Sequence, residues 1–374
     1  MEIEFGAPGQ ITPPVDRGIA AGVKMEQAGY DGVWWPDHLM GWHPDSIWTE
    51  DVTPLARYQP SSHVYVDPFL MMSAVGAQTS HVKVGSCVTD LLRRHPAAVA
   101  QSLLTLDHIT QGRAILGVGT GEQLNITPYG MEWSKPVAKL SEGLDVMRLL
   151  MQAGTETVDY EGDHFRLQDA VMGLDPYGDR LPDIWLAAHG PRMLDITGRK
   201  ADGWLPTKMS PDRYRESRDA IYRSAKAVGR DVDHFTPGML AYILVGPDEE
   251  SVQRLLAAPL VRLLCILLPN RIFEMLGVEP PLGGGSEGSG FHDFIPTRID
   301  RAEAERIVDG IPPRVTQYYA FAGTVEQIAE EVTAYQQAGL RHLVMWNITG
   351  LGDPELAKFS FKAMEELKTM LREA

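Results

Sequence analysis

The feature that most narrows the fold of this 374-residue chain is a rhythm. Short β-like runs alternate with longer stretches whose apolar residues recur every three or four positions, the period of a helix with one buried face. The runs that read as strands are Ile3–Gly6, Gly32–Trp35, Val82–Val88, Ala114–Val118, Ile184–Ala187, Gly203–Leu205, Met239–Val245 and His342–Trp346. Helical patterns fill the intervals at Asp16–Ala28, Pro68–Gln78, Ala97–Asp107, Lys139–Met151, Met193–Gly198, Arg213–Val228 and Val325–Ala338, and Asp353–Arg372 closes the chain. Strands separated by helices pair in parallel, because a parallel neighbour is reached only through a crossover. Eight such units are the count of a closed (β/α)8 TIM barrel, with an open doubly wound sheet as the alternative.

Two segments break the rhythm. Residues 41–67 hold Trp42, Trp48 and three prolines, and residues 255–318 form a long insertion before the last strand. The expected organisation is a single barrel domain over residues 1–374 with insertions at about these two places. Excursions of this length are lids, binding loops or disordered segments. The run Gly283–Gly290 reads as a flexible surface loop, since no Lys-Ser/Thr pair follows to make it a phosphate cradle. The apolar stretch Leu260–Leu268 suits either a core helix or the wall of a site for a lipophilic substrate.

Composition removes whole classes of function. Fifty acidic residues face 34 basic ones, a formal net charge of −16, whereas binding a nucleic-acid backbone needs a basic surface. Two cysteines, Cys87 and Cys265, make no disulfide framework and suit a reducing compartment. The opening MEIEFGAPG lacks the basic and apolar regions of a secretory signal, and no apolar run approaches the ~20 residues of a membrane span, so a cytoplasmic protein is expected. H-E-x-x-H and C-x-x-C are absent, and no metal site is expected.

In a barrel the chemistry sits at the C-terminal ends of the strands. Four of those ends are unusual: WWPDHLMGW after the second run, GSCVTD at the third, GVGTGEQLN at the fourth and AAHGPRM at the fifth. His38, between Asp37 and Trp42, carries an imidazole that exchanges a proton near neutral pH; a lone histidine at a strand end is equally a structural group. Gly117 to Gly121 imitates a dinucleotide fingerprint, but Glu122 stands where the third glycine of G-x-G-x-x-G belongs. The glycines let backbone pass close to a flat ligand, or simply make a tight turn, and Glu122 places an acid in the mouth. Pro191 at a helix start leaves free N–H groups for an anionic ligand, or closes an ordinary turn. Cys87, inside an apolar run, reads as a small buried hydrophobe and not as a nucleophile.

Taken in series, DH…W, CVTD, HPAAVAQ, GTGEQLN and AAHGPRM resemble the luciferase-like oxidoreductases. Within them the pattern is similar to the branch using the deazaflavin coenzyme F420, which includes F420-dependent glucose-6-phosphate dehydrogenases and phthiodiolone ketoreductases. The resemblance is strongest from Asp31 to Thr207 and weakest across residues 255–318. It implies that His38 exchanges the substrate proton, that Trp42 lies beside the deazaflavin and substrate, and that Glu122 is the acid near the ring's pyrimidine side. Asp37, Asp90, Thr120, Gly121, Asn125, Ala188, His189, Gly190, Arg192 and Met193 match positions lining the cofactor. Cys87-Val88 matches a non-prolyl cis peptide behind the ring, and Thr207 a threonine on the substrate side.

The pattern departs from the sugar-phosphate enzymes twice. Gln10 lies in the segment where they carry an active-site glutamate, and Ser210 stands where they carry a phosphate-binding lysine, with Lys208 as its nearest replacement. The implied activity is hydride transfer between the deazaflavin C5 and a carbinol or carbonyl carbon of a small alcohol or ketone, in a homodimer. Alternatives are an FMN-dependent luciferase-like monooxygenase and a barrel that binds a ligand without turnover.

Overall fold

A computed structural model describes residues 3–286 and 288–373. At its centre a parallel sheet closes on itself. Strands β1 (Glu4–Pro8), β2 (Gly32–Trp35), β3 (Lys83–Ser86), β4 (Ala114–Gly119), β5 (Asp183–Leu186), β6 (Gly203–Trp204), β7 (Thr236–Val245) and β8 (His342–Asn347) each pair with the next. Thr236 opposite Gly203 joins β7 to β6, and Glu4 opposite His342 joins β1 to β8. The fold is the (β/α)8 barrel, and the open doubly wound alternative is excluded.

Outside lie α1 (Val15–Gln27), α2 (Pro68–Gly76), α3 (Pro96–Thr110), α4 (Pro136–Ala153), α5 (Pro191–Lys200), α6 (Pro211–Ala227), α7 (Val325–Gln337) and α8 (Ala357–Glu373). From α2 to α6 each helix begins on a proline, whose missing N–H costs nothing in the first turn and whose φ is already helical. Thr324 and Gln327 start α7 with a reciprocal capping box.

The barrel is plugged at its base. Trp34 and Trp185 are fully buried with ring centroids 5.2 Å apart, and the His342 ring sets its edge against both. A Cβ at Gly6 or Gly85 would overlap the Trp34 indole, so these strands approach it only as glycine. Trp34 Nε1 can only donate, and it meets His342 Nε2 at 3.1 Å. His342 therefore carries its proton on Nδ1, which faces Glu4 at 2.9 Å, and Lys83 closes on the same carboxylate at 2.8 Å.

The structure revises several expectations. The strand read at Val82–Val88 breaks after Ser86 and resumes as Thr89–Asp90, pairing with Val118 and Gly119. An antiparallel hairpin, Val158–Glu161 with Arg166–Ala170, was not legible because its residues are mostly polar and neither face is buried. Leu260, Val261, Leu263 and Leu264 are buried in a second apolar core that also holds Trp42, so the Leu260–Leu268 run is built into the core. The Gly283–Gly290 run is not a free loop: the buried Asn270 amide donates to the Gly283 and Gly285 carbonyls, and Asn270 N–H to Gly288 O. Glu287, inside that run, lies outside the described residues.

The two insertions are stitched together over the C-terminal mouth of the barrel. His43 Nε2 lies 2.8 Å from Leu260 O, Ser46 donates to Ile299 O, and Arg301 pairs with Asp51 at 2.5 Å. Among the described residues no helix is long and apolar enough to cross a membrane, and no cluster of His, Cys, Asp or Glu could hold a metal ion.

Candidate active site

β2 ends at Trp35, and the turn that follows is anchored before it reaches His38. Asp37 is 4% exposed and accepts from Thr89 Oγ1 at 2.6 Å, with Arg93 at 3.2 Å and Arg94 at 3.3 Å. Burial would raise its carboxyl, but the two guanidiniums and the Thr89 hydroxyl hold it below the ordinary value. Arg93 also meets Asp90 at 2.5 Å and donates to the Asp37 carbonyl. Both aspartates are thus engaged in one buried ion network that fixes the turn. Arg93 and Arg94 were missed in the sequence; the signal was two adjacent cations just past Asp90 in an acidic chain.

His38 and Glu122, on different strand ends, meet here. His38 Nδ1 is 3.4 Å from Glu122 Oε2, and the Asn125 amide joins them, giving one N–H to Glu122 at 2.8 Å and lying 3.0 Å from His38 Nδ1. The Asn125 oxygen accepts from the Leu39 and Met40 N–H groups at 2.8 and 2.9 Å, which settles which end of the amide is which. All recorded partners of the His38 ring, including Met40 O at 3.2 Å, lie at Nδ1, and Nε2 is not among the buried unpartnered atoms. Nε2 is the open edge. Burial pushes the Glu122 carboxyl above its ordinary value, outweighing the pull of His38, Asn125 and Arg93. Its side chain nevertheless keeps 24% of its surface, as a wall of a cavity does.

Aromatic rings enclose this pair. Tyr65 stacks on the His38 ring with centroids 5.1 Å apart, and Trp42 sets its edge against it at 6.3 Å. Phe291, from the second insertion, packs edge-on against Trp42 at 5.5 Å. On the far strands Tyr242 and Trp346 are register partners, both half-buried. Tyr65, Phe291, Tyr242 and Trp346 carried no sequence signal, because an aromatic at helix or strand spacing reads as core.

At the third strand end the Cys87–Val88 peptide is cis. Cys87 is 7% exposed and burial pushes its thiol up, as expected of a packed residue and not a nucleophile. A Cβ on Gly117 would overlap the Ser86 carbonyl, so this glycine makes room for β3 and not for a ligand. Gly121 has φ +74°, the left-handed turn that delivers Glu122. Trp133 Nε1 donates to Thr120 O at 3.0 Å, and His292 of the second insertion packs on that indole, covering the glycine turn.

The fifth strand end forms a second polar group. Thr207 N–H donates to His189 Nε2 at 3.2 Å, so the imidazole is neutral with its proton on Nδ1, and Thr207 Oγ1 lies 3.1 Å from the same nitrogen. Burial, then Arg213 and Arg271, push His189 down to about 4. Gly190 precedes α5 with no side-chain cap, leaving the first-turn N–H groups for another acceptor. Ala188 O accepts from Trp204 Nε1 at 2.8 Å, Met193 is buried, and Arg192 is exposed. Lys208 does not replace the missing lysine. It is spent on Glu331 at 2.7 Å and on the carbonyls of Ala320 and Gln317.

The sequence profile described as luciferase-like monooxygenase matches residues 3–342. The chain belongs to that family. It is an enzyme of the oxidoreductase class. It is 35% identical over 350 residues to a phthiodiolone/phenolphthiodiolone dimycocerosates ketoreductase of Mycobacterium tuberculosis, covering 93% of this chain and 90% of the relative. It is 27% identical over 327 residues to an F420-dependent glucose-6-phosphate dehydrogenase of Nakamurella multipartita, covering 86% and 84%. Among solved structures, an F420-dependent secondary alcohol dehydrogenase in complex with an F420–acetone adduct superposes with a TM-score of 0.75 at 20% identity, covering 99% of both chains.

Proposed function

We propose that this luciferase-like protein is a coenzyme F420-dependent oxidoreductase that moves a hydride between the deazaflavin C5 and a carbinol or carbonyl carbon of a small molecule. The observation that carries the reading is His38, whose Nδ1–H faces the Met40 carbonyl at 3.2 Å and the Glu122 carboxyl at 3.4 Å, leaving the Nε2 lone pair open at the barrel mouth. The names of the ketoreductase, glucose-6-phosphate dehydrogenase and alcohol dehydrogenase relatives support it.

The residues present fit the cofactor. The uncapped N-terminus of α5, His189 Nδ1–H and the nearby Arg213 suit an anionic phosphate, and Glu122, its carboxyl raised by burial, would be the acid at the pyrimidine side. The bound deazaflavin supplies the carbon that accepts or gives the hydride. In oxidation His38 Nε2 takes the hydroxyl proton, and in reduction it returns that proton to the substrate oxygen. Asn125 holds the imidazole in place through the Leu39–Met40 turn. Trp42 and Phe291 exclude water from the substrate face.

Replacing His38 by alanine is expected to leave F420 binding intact, read by fluorescence titration, while lowering turnover by ~10²–10⁴-fold. Turnover equal to the parent protein would remove His38 from the proton step.

A further inference from the structure

The helix that closes the second insertion ends on a phenol that the function above does not use. Tyr319 ends the helix Pro313–Tyr319 and is 3% exposed, and its hydroxyl is turned toward the Tyr242 phenol. Its ring lies nearly parallel to that of Tyr242, centroids 5.1 Å apart and planes 19° from each other.

Tyr242 occupies a telling place on β7. Leu240, two residues earlier, packs on the lumen cluster formed by Trp34, Trp185 and Val344. Alternate residues of a strand share a face, so Tyr242 stands above that floor, at the mouth. Burial pushes both phenols up, and the Glu122 carboxyl adds to the rise in each, which puts both rings within electrostatic reach of the acid. They remain neutral donors across the physiological range. On the β1 side, by contrast, Gln10 turns its amide to Thr12 O at 2.7 Å, so that segment presents no acid.

We propose that Tyr242, oriented by Tyr319 behind it, donates a hydrogen bond to the substrate oxygen alongside His38. This rests on the oxidoreductase reading and gives the helix Pro313–Tyr319 a part in the chemistry. The hydride passes between the substrate carbon and the cofactor, and the proton between the substrate oxygen and His38 Nε2. Tyr242 keeps its own proton throughout and stabilises the negative charge that develops on the oxygen. Tyr319 acts through Tyr242 and is a positioning residue.

The test uses Tyr319→Phe and Tyr242→Phe, which keep both rings and remove one oxygen each. Turnover is measured with oxidised F420 and 2-octanol, and with reduced F420 and 2-octanone, beside F420 affinity and melting temperature. Each variant should lose ~10–100-fold in kcat/KM, chiefly in kcat, with F420 affinity and melting temperature held. The double variant should be no worse than the more severe single one, because the two phenols act as a unit. If the stack only packs the insertion onto the barrel, both variants keep the parent kcat/KM, and that result overturns the proposal. The dissociation constant of 2-octanone from the F420 complex needs no turnover; it should rise severalfold, and equal constants overturn the proposal too. Failure of the parent protein to bind F420 overturns the oxidoreductase reading instead.

Discussion

At Asn125 a single amide, 1% exposed, ties the His38 turn to Glu122. Asn125→Ala strands the Leu39 and Met40 N–H groups and is expected to cost about 1–3 kcal/mol of stability in chemical denaturation, with a fall in kcat from the freed imidazole. Glu122 gives a pH prediction. Burial raises its carboxyl, so the neutral form persists to higher pH than in a free glutamate, and is lost as pH rises through the raised value. A reaction that uses neutral Glu122 therefore loses rate on the alkaline side. Glu122→Gln, neutral at every pH, should abolish that limb of the pH–rate profile; an unchanged limb would assign it to another group. His38, Trp42 and Glu122 were legible in the sequence because strand ends of a barrel converge. Asn125 looked like one more cofactor contact, since its partners Leu39 and Met40 lie 86 and 85 positions away. Tyr242 and Tyr319 were illegible for a different reason: what marks them is a ring stack between distant segments, which leaves no trace in composition or period.

Among the elements, the eight strands were readable because parallel strands buried on both sides are continuous apolar runs. The hairpin at 158–170 was not, having no buried face to impose a pattern. Lys208 shows the hazard of reading charge without packing. At 8% side-chain exposure it binds the end of the second insertion to α7 through Glu331 and two carbonyls. Lys208→Met should lower stability by about 1–3 kcal/mol while leaving F420 affinity unchanged, checked by thermal melting and fluorescence titration. The base of the barrel carries its own pH signature. Burial alone would raise the Glu4 carboxyl, but His342 and Lys83 bring it from its ordinary 4.5 to about 2. A group depressed on folding stabilises above its unfolded value, so this contribution is lost as pH falls from 4.5 towards 2. His342 is itself pushed down by burial and stays neutral, so stability begins to fall once the unfolded ring protonates, below about 6.5. Glu4→Gln should flatten a urea-midpoint profile between pH 4.5 and about 2 while leaving the loss that His342 begins near 6.5.

Across the whole molecule, the barrel supplies a rigid base and the two insertions, stitched together, supply much of the wall around the mouth. Their positions were readable as breaks in the rhythm. Their fold was not, because Leu260–Leu268 and Gly283–Gly290 take their structure from contacts with distant residues such as Val315 and Asn270. A net charge of −16 cannot attract an anionic cofactor from afar, so the proposed F420 binding rests on the local group at His189 and α5. With Lys208, Arg93 and Arg94 all committed to carboxylates and Ser210 in place of the family's lysine, glucose 6-phosphate should give no turnover where an uncharged secondary alcohol does. The most direct measurement of the central claim is a parallel titration of the purified protein with F420 and FMN, followed by addition of a secondary alcohol. The account predicts saturable F420 binding and reduction of the bound F420 by the alcohol without oxygen uptake. Binding of FMN with oxygen consumption, and none of F420, would contradict it.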